Sequence, residues 1–356
     1  MKKEKIVSEK KYRYNGLTPA DGSVAFTIGF IGSLLVGFVL SAIIKDANVL
    51  SIVYSVLTQT LFFVAAVSFA NKAFRRDCPD IKKDAFPNVF YALGFTKRTN
   101  AAMLLLCVVM PIFAILAILP VSALVEYVFG LLGFHQTPSY ADYTSSVGMF
   151  LICSLVLCVL PAFGEEMLLR GAFARGLRAK GTVFAIVISA LTFGLMHGSP
   201  VQFIHQFLIG LVMAYIVILT DCIWHSVIFH FVNNFAVILY EFIYAKSGAT
   251  YVIPVWAYSI MFVVGIVGLG LLLVLFTKTS VDRSKKSSGE KSVGIKDGER
   301  ENAEKPLRKK ITLKYIFDSS EYKYKSYDKT PSIALYVAIA VVSVIWILNT
   351  ILGWIQ

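Results

Sequence analysis

Charged residues are scarce in this chain of 356 residues. Only 16% of its residues are Asp, Glu, Lys or Arg, whereas 57% are hydrophobic. A soluble domain carries about a quarter charged residues, and the mean hydropathy of +0.70 departs in the same direction. The composition therefore excludes an ordinary soluble domain and indicates a membrane protein.

Several short motifs of well-known chemistry are also missing. None of the five cysteines forms a CxxC pair, and Cys107, Cys153 and Cys158 lie in apolar runs, so we interpret them as small buried hydrophobic residues. The sequence has no HExxH motif, the usual signature of a zincin helix, and no glycine-rich phosphate loop. A CxxC redox pair, a zincin and a phosphate-loop enzyme are therefore not indicated.

Long apolar runs fill most of the chain. A membrane span needs about 20 apolar residues, and nine runs meet or approach that length, the fifth being the shortest. The first run is too long for the core of a cleaved signal peptide, so we expect it to be retained. The predicted spans are 24–44, 49–70, 101–125, 146–163, 182–197, 201–219, 223–243, 252–276 and 332–355. The predicted fold is an all-α, polytopic transmembrane helical bundle, with an eight-helix core at 24–276 and a ninth C-terminal span.

The net charge of +12 comes from the loops between these runs. Lysine and arginine concentrate in alternate loops, and the intervening loops have one lysine at most. This alternation predicts a cytoplasmic N-terminus, an external C-terminus and a location in the plasma membrane, and it does not favour a nucleic-acid partner. The basic segments are the N-terminal tail 1–23, loop 71–100, segment 164–181 and segment 277–331.

Segment 277–331 differs in composition from the rest of the chain. Its first part is polar and poor in large apolar residues, which predicts a largely disordered cytoplasmic linker. Its second part interleaves lysine with tyrosine. A solvated linker and a segment lying on an anionic membrane surface both remain open for that part.

The first group of intramembrane charges is Glu165, Glu166 and Arg170. An ionisable side chain costs about 2.5–3.5 kcal/mol at the bilayer centre on insertion scales, so it usually faces a cavity or a partner. Glu166 and Arg170 are four residues apart and can pair, while Glu165 points about 100° away and stays available for chemistry. Pro161 and Gly164 predict a bent or broken helix just upstream. A salt-bridge and capping cluster at a helix end is the structural alternative.

Two further groups follow along the chain. Phe193 and His197 share one helix face, so the aromatic ring can pack against the imidazole. His230 and Asn234 also lie four residues apart and can converge on a developing oxyanion. Taken alone, each group can instead be structural, as a hydrogen-bonded core histidine or as polar contacts between helices, and a histidine can also ligate a metal.

Together the groups carry more weight than they do singly. A carboxylate, two histidines and an amide fall on three predicted helices in a region otherwise almost free of such groups. This combination suits the activation of a water molecule on an amide bond. His205 and His225 match no motif, and we expect supporting or structural roles for them.

The ordered motifs resemble those of a known family. EExxxR (Glu165, Glu166, Arg170), FxxxH (Phe193, His197) and HxxxN (His230, Asn234) are similar to the three motifs of the CAAX-processing and bacteriocin-processing (CPBP, or Abi) intramembrane proteases. That family includes the enzyme that trims prenylated CAAX proteins and bacterial relatives linked to peptide export, pheromone processing or bacteriocin self-immunity.

The resemblance implies an endopeptidase whose substrate is a membrane-associated peptide or a lipidated protein. Glu165 would activate the water, His197 would orient it or share its proton, and His230 with Asn234 would stabilise the oxyanion. Glu166 and Arg170 would hold the site together. The family has been described both as metal-dependent and as metal-free, so the cofactor stays open: either none, or one zinc ion on Glu165, His197 and His230.

Two other functions remain open at this stage. A transporter or channel would also place charges inside the membrane, and a non-catalytic immunity or scaffold relative would keep the site without using it. The protease hypothesis requires Glu165 and His197 to meet. The turn at 198–200 must therefore lie inside the bundle rather than at the far surface.

Overall fold

The computed structural model describes residues 16–77, 85–96, 98–134, 142–248, 253–293 and 333–355. Every regular element within these ranges is a helix, and eight of the helices are long and apolar enough to cross a membrane. The predicted polytopic helical bundle is therefore confirmed. The helices are α1 (Pro19–Ile43), α2 (Ala47–Asp77), α3 (Ala85–Ala92), α4 (Ala101–Leu131), α5 (Val147–Lys180), α6 (Thr182–Met196), α7 (Pro200–Thr220), α8 (Trp224–Ser247), α9 (Val255–Val293) and α10 (Ile333–Ile355).

Helix α6 is the predicted short span. Its 15 residues extend roughly 22 Å, which is less than the hydrocarbon thickness of about 30 Å. The turn that follows it, Gly198-Ser199-Pro200, is buried. The expectation that this turn lies inside the bundle is confirmed, and it follows from a helix too short to reach the far surface.

Helix α1 begins five residues before the predicted span at 24. Thr18 and Asp21 form a capping box: Asp21 N–H donates to the Thr18 hydroxyl over 3.1 Å, and Thr18 N–H donates to the Asp21 carboxylate over 3.1 Å. The box satisfies backbone groups at the helix start. Residues 1–15 of the predicted basic tail lie outside the described residues.

Helix α9 continues beyond the predicted end of its span at 276. It runs to Val293, so the prediction of disorder is wrong for 277–293. This stretch contains no proline and carries several lysines, which favour helix, so the backbone hydrogen bonds continue out of the apolar run. The rest of the predicted linker, 294–331, lies outside the described residues.

Helix α5 is unbroken, so the break predicted as one alternative at Pro161 and Gly164 is absent. The chain stays helical through both residues and widens into π-helix at Leu155–Val159 and again at Met167–Ala174. A π-helical turn contains one extra residue and often occurs at functional sites. Proline is thus accommodated by a wider turn rather than by a break.

Side chains from neighbouring helices satisfy the carbonyls that Pro161 leaves without a donor. Having no N–H, Pro161 cannot donate to Leu157 four residues earlier or to Val156 five residues earlier. The Asn234 amide donates to Leu157 O over 3.1 Å, and the Ser55 hydroxyl donates to Val156 O over 2.9 Å. In a membrane, where such groups find little water, these bonds tie α5 to α8 and α2.

Helix α5 is packed against most of the other helices of the bundle. It contacts α1, α2, α6 and α8, and the residues from Met167 to Ala174 are all buried. The four described cysteines are buried and unbonded, which agrees with their interpretation as small core residues; Cys78 lies outside the described residues. Helix α10 packs on α1 and α6 through Leu335, Ala338 and Val342.

Candidate active site

Glu166 is the anchor of the polar cluster in the bundle. Its Oε1 accepts from Arg170 Nη1 over 2.7 Å and from His230 Nδ1–H over 3.0 Å. The side chains of Glu166 and Arg170 are both 0% exposed, and the guanidinium lies 4.4 Å from the centre of the Phe193 ring. The pair predicted from the spacing of four residues is therefore present, and Glu166 serves to hold Arg170 and His230.

Glu165 has different partners from its neighbour. Its Oε1 accepts from the Gln59 side-chain amide over 3.0 Å. Its Oε2 has no hydrogen-bond partner among the described residues and lies 3.9 Å from His230 Nε2. One carboxylate oxygen is thus fixed and the other is available, as the 100° offset between the two glutamates predicted.

Glu165 lines a cavity of about 860 Å³. Residues from α1, α2, α4, α5, α6, α7, α8 and α10 line it. Polar groups from distant parts of the sequence meet there within the membrane-spanning bundle. The predicted residues that line the cavity are Glu165, His197, His230 and Asn234.

His230 lies between the two glutamates. Its Nδ1–H donates to Glu166, which leaves Nε2 directed to the Glu165 side, 3.9 Å from Oε2. That distance is too long for a direct hydrogen bond and short enough for one water molecule to contact both atoms. The fixed Nδ1 bond therefore sets the orientation of the whole ring.

His197 is held by its own helix. Its Nδ1 lies 2.7 Å from Phe193 O; because a carbonyl only accepts, Nδ1 is the donor, and Nε2 of the neutral ring carries a lone pair. The Phe193 and His197 rings pack edge to face with centroids 4.8 Å apart, as their spacing predicted. Phe193 also contacts His230 at 5.8 Å, so one aromatic ring supports both histidines.

Asn234 has a structural bond in addition to its place in the cavity. One amide N–H donates to Leu157 O over 3.1 Å, and Oδ1 accepts from the Asn233 amide over 3.2 Å. A side-chain amide has two N–H groups, so a second donor remains. Asn234 can therefore bond the Leu157 carbonyl, which Pro161 leaves without a donor, and still have an N–H for the predicted oxyanion role.

Sequence reasoning missed two side chains of the site. Gln59 holds Glu165 from 106 residues away along the chain, and Asn233, which is 2% exposed, lines the cavity beside Asn234. The signal for Gln59 was the polar stretch Thr58-Gln59-Thr60 inside an otherwise apolar span. His205, expected in a supporting role, also lines the cavity.

Gly164 permits the close approach between α5 and α2 at this level. A Cβ atom placed on it would lie 2.9 Å from Gln59 O and 3.1 Å from Gln59 Cα. No side chain fits there without moving the Gln59 backbone. The residue before Glu165 therefore lies directly against the residue that binds Glu165.

The candidate metal ligands do not assemble into a metal site. Among the described residues, no three His, Cys, Asp or Glu side chains are placed to hold a metal ion. His197 and His230 each use Nδ1 in a hydrogen bond, to Phe193 O and to Glu166. Glu165, His197 and His230 are not assembled as a metal site in this arrangement.

A second charged cluster lies outside the cavity, between the end of α7 and the start of α8. Asp221 binds Arg175, Arg178 at 3.2 Å and Arg98 at 3.1 Å; we call these four residues the Asp221 cluster. Burial acts to raise the pKa of Asp221, but the charges of Arg175, Arg178 and Arg98 outweigh it and hold the pKa below its ordinary value of 3.8. The cluster joins α5, α7 and the loop before α4.

Comparison with known proteins agrees with the motifs. Residues 147–236 match the family model described as type II CAAX prenyl endopeptidase Rce1-like. No curated protein and no solved structure matches the chain. The matched segment contains all three motifs and both glutamates of the site. This match, on a chain whose described residues include eight candidate membrane spans, supports the resemblance to the CAAX protease (CPBP) family of multi-pass membrane proteins over that segment.

Proposed function

We propose that the protein is an intramembrane endopeptidase in which Glu165 activates the attacking water. The observation that carries this proposal is the arrangement of Glu165: the residue lines the cavity, Gln59 fixes its Oε1, and its Oε2 has no hydrogen-bond partner among the described residues. A general base needs a lone pair within reach of the substrate and a fixed orientation. Glu165 has both and lines the cavity, whereas Glu166 does not line it and holds Arg170 and His230 through its Oε1.

In the proposed reaction Glu165 first accepts a proton and later returns it. A water molecule between Glu165 and His230 gives a proton to Oε2 as its oxygen bonds to the scissile carbonyl carbon. The tetrahedral intermediate then breaks its C–N bond, and Glu165 returns the proton to the leaving nitrogen. The products are a carboxylic acid and an amine, and no step uses a metal ion.

The remaining side chains have supporting roles in this proposal. His197, whose Nε2 carries a lone pair, orients the water or shares its proton. His230, which Glu166 holds through Nδ1, presents Nε2 on the Glu165 side, and in this proposal it stabilises the oxyanion. The second amide N–H of Asn234 is the other oxyanion donor.

The proposed substrate is a membrane-associated peptide or a lipidated protein. The cavity lies within the bundle, and its lining mixes apolar side chains such as Phe30 and Leu34 with polar ones such as Ser33 and Gln59. Such a lining suits a polypeptide that enters from the bilayer. We further propose the plasma membrane as its location, with a cytoplasmic N-terminus, because the basic loops alternate as that orientation requires.

The test is proteolysis by the purified protein in lipid nanodiscs against a library of membrane-anchored peptides, with and without a chelator. We expect the wild type to cleave and Glu165→Gln to lose about 10²- to 10⁴-fold in kcat/KM. Glu241→Gln is the matched control, since Glu241 is another carboxylate of the cavity and binds Tyr143 instead. Full activity of Glu165→Gln would reject the enzyme hypothesis. Loss of activity with the chelator would show that the reaction needs a metal ion.

A further inference from the structure

Helix α10 lies beside the cavity although it falls outside the matched segment 147–236. Ile345 and Asn349 line the cavity together with His197 and Gly198. The helix is anchored by its buried residues Leu335, Ala338 and Val342 and by the Trp346 ring, which packs 5.7 Å from that of Phe203. One wall of the cavity is therefore supplied by the C-terminal part of the chain.

Asn349 of α10 lies close to the turn that follows the motif residue His197. Gly198, which directly follows His197, has a φ of +68°, and a Cβ built on it would lie 2.5 Å from Asn349 Nδ2. Only a glycine leaves room for this contact. The amide of Asn349 thus lies against the turn that ends at the proposed site.

Asn349 carries the side-chain amide of α10, whose sequence is otherwise mostly apolar. An amide in an apolar helix is costly unless a partner or a wet cavity satisfies it. The neighbouring Thr350 hydroxyl donates to Trp346 O over 2.8 Å, whereas Asn349 has no hydrogen-bond partner among the described residues. Asn349 is exposed and lines the cavity, and the donor and acceptor of its amide match the C=O and N–H groups of an extended peptide.

We propose that α10 forms one wall of the substrate cavity and that Asn349 positions the substrate by hydrogen-bonding its backbone beside His197. This proposal rests on the proposed function, because it assigns the occupant of the same cavity. It makes Asn349 a positioning residue that acts in binding, not in the chemical step. It also gives α10 a role in choosing which peptide is cut.

The first experiment separates binding from chemistry. For Asn349→Leu we expect KM, and the Kd of the same peptide, to rise about 3- to 10-fold because one hydrogen bond is lost, with kcat unchanged. Thr350→Val, which removes a polar group from the same helix outside the cavity, should leave both values unchanged. Asn349→Gln, which keeps the amide, should restore part of the affinity.

The second experiment tests the wall itself. Ile345→Trp should narrow the cavity and shift cleavage away from peptides with bulky side chains, whereas Ile347→Trp should not, since Ile347 is 50% exposed on the outer side of the helix. The readout is the ratio of kcat/KM for a bulky and a small residue at the varied position. Equal ratios for the two variants would overturn the assignment of α10 as a wall.

The outcomes also separate the two proposals. If the wild type binds peptides without cleaving them, the proposed function fails, while the Kd values still test Asn349. If cleavage occurs but Asn349→Leu changes Kd and KM no more than Thr350→Val does, the positioning role fails. A fall in kcat together with the unfolding temperature, at constant Kd, would mark Asn349 as structural and would also reject the proposal.

Discussion

The Glu166–Arg170 pair and the Asp221 cluster both pair a carboxylate with guanidinium groups, but they differ in how far their side chains are exposed to solvent. In the bundle, one carboxylate faces one guanidinium, and both side chains are 0% exposed. In the Asp221 cluster, one carboxylate faces three guanidiniums, with Asp221 17% and Arg98 49% exposed. Dry charges must be matched one to one, because nothing else screens them. At the second location Arg175 and Arg178 are nearly buried, at 2% and 6% exposed, whereas Asp221 and Arg98 are in part accessible to solvent.

The difference shows how a reactive acid is kept apart from a structural one. Arg170 and His230 both bind Glu166, so the cation is neutralised by the neighbour of Glu165 rather than by Glu165 itself. Breaking either cluster should therefore have distinct consequences.

Arg170→Met should have the largest effect. It leaves Glu166 buried without its cation, and breaking a buried pair in this way costs about 3–5 kcal/mol. We expect a large drop in the unfolding temperature or no folded protein in nanodiscs. The measurement is thermal unfolding of detergent-extracted and reconstituted protein.

A double variant sharpens this prediction. Glu166→Gln with Arg170→Met removes both charges and keeps a side-chain oxygen for His230 Nδ1–H. It should be more stable than Arg170→Met alone, because no unpaired charge remains. If the two substitutions simply add, Arg170 does not act through Glu166.

Asp221→Asn should be intermediate, at about 1–3 kcal/mol of unfolding free energy. It removes the common partner of Arg98, Arg175 and Arg178, but partial exposure lets water solvate part of the excess charge. Thermal unfolding of this variant beside Arg170→Met gives the comparison directly. An effect larger than that of Arg170→Met would contradict the contrast between dry and wet clusters.

The contribution of Asp221 should depend on pH. Its pKa in the folded protein is held below the ordinary value of 3.8, so the stabilisation is complete above that value and is lost as the pH falls through the folded pKa. The difference in unfolding temperature between wild type and Asp221→Asn should be constant from pH 7 to 5 and shrink below about pH 4. A difference that grows on acidification would reverse the assigned sign.

The smallest effect concerns salt. The bond from Arg98 to Asp221 is the most exposed of the cluster, and such pairs contribute about 0.2–1 kcal/mol. The loss of stability in Arg98→Gln should therefore be small at 0.1 M salt and vanish near 1 M, where the Debye length falls to about 3 Å. The same change of salt should leave the effect of Arg170→Met unaltered.

Hydropathy was enough to predict the bundle, because a bilayer forces every span to be an apolar helix. It failed where the ends of helices depend on polar residues. Thr18 and Asp21 start α1 before the apolar run begins, and α9 continues into a stretch with lysine and serine. Neither feature has a hydrophobic signature.

The site was predictable where its residues are close in sequence. Spacings of four residues correctly paired Glu166 with Arg170 and Phe193 with His197. Contacts between distant segments were not predictable from spacing: Gln59 with Glu165, Ser55 and Asn234 with the carbonyls around Pro161, and Asn349 with Gly198. The break predicted at Pro161 is absent, because side chains from other helices donate to the carbonyls that Pro161 cannot reach.

The contact of Gly164 with Gln59 has a consequence for how the reactive carboxylate is aimed. With a hydrogen in place of a side chain, the two backbones touch, and this touching distance lets the Gln59 amide reach Glu165. One methyl group at position 164 would act as a spacer and pull donor and acceptor apart. The orientation of the Glu165 carboxylate therefore depends on Gly164, a residue without a side chain.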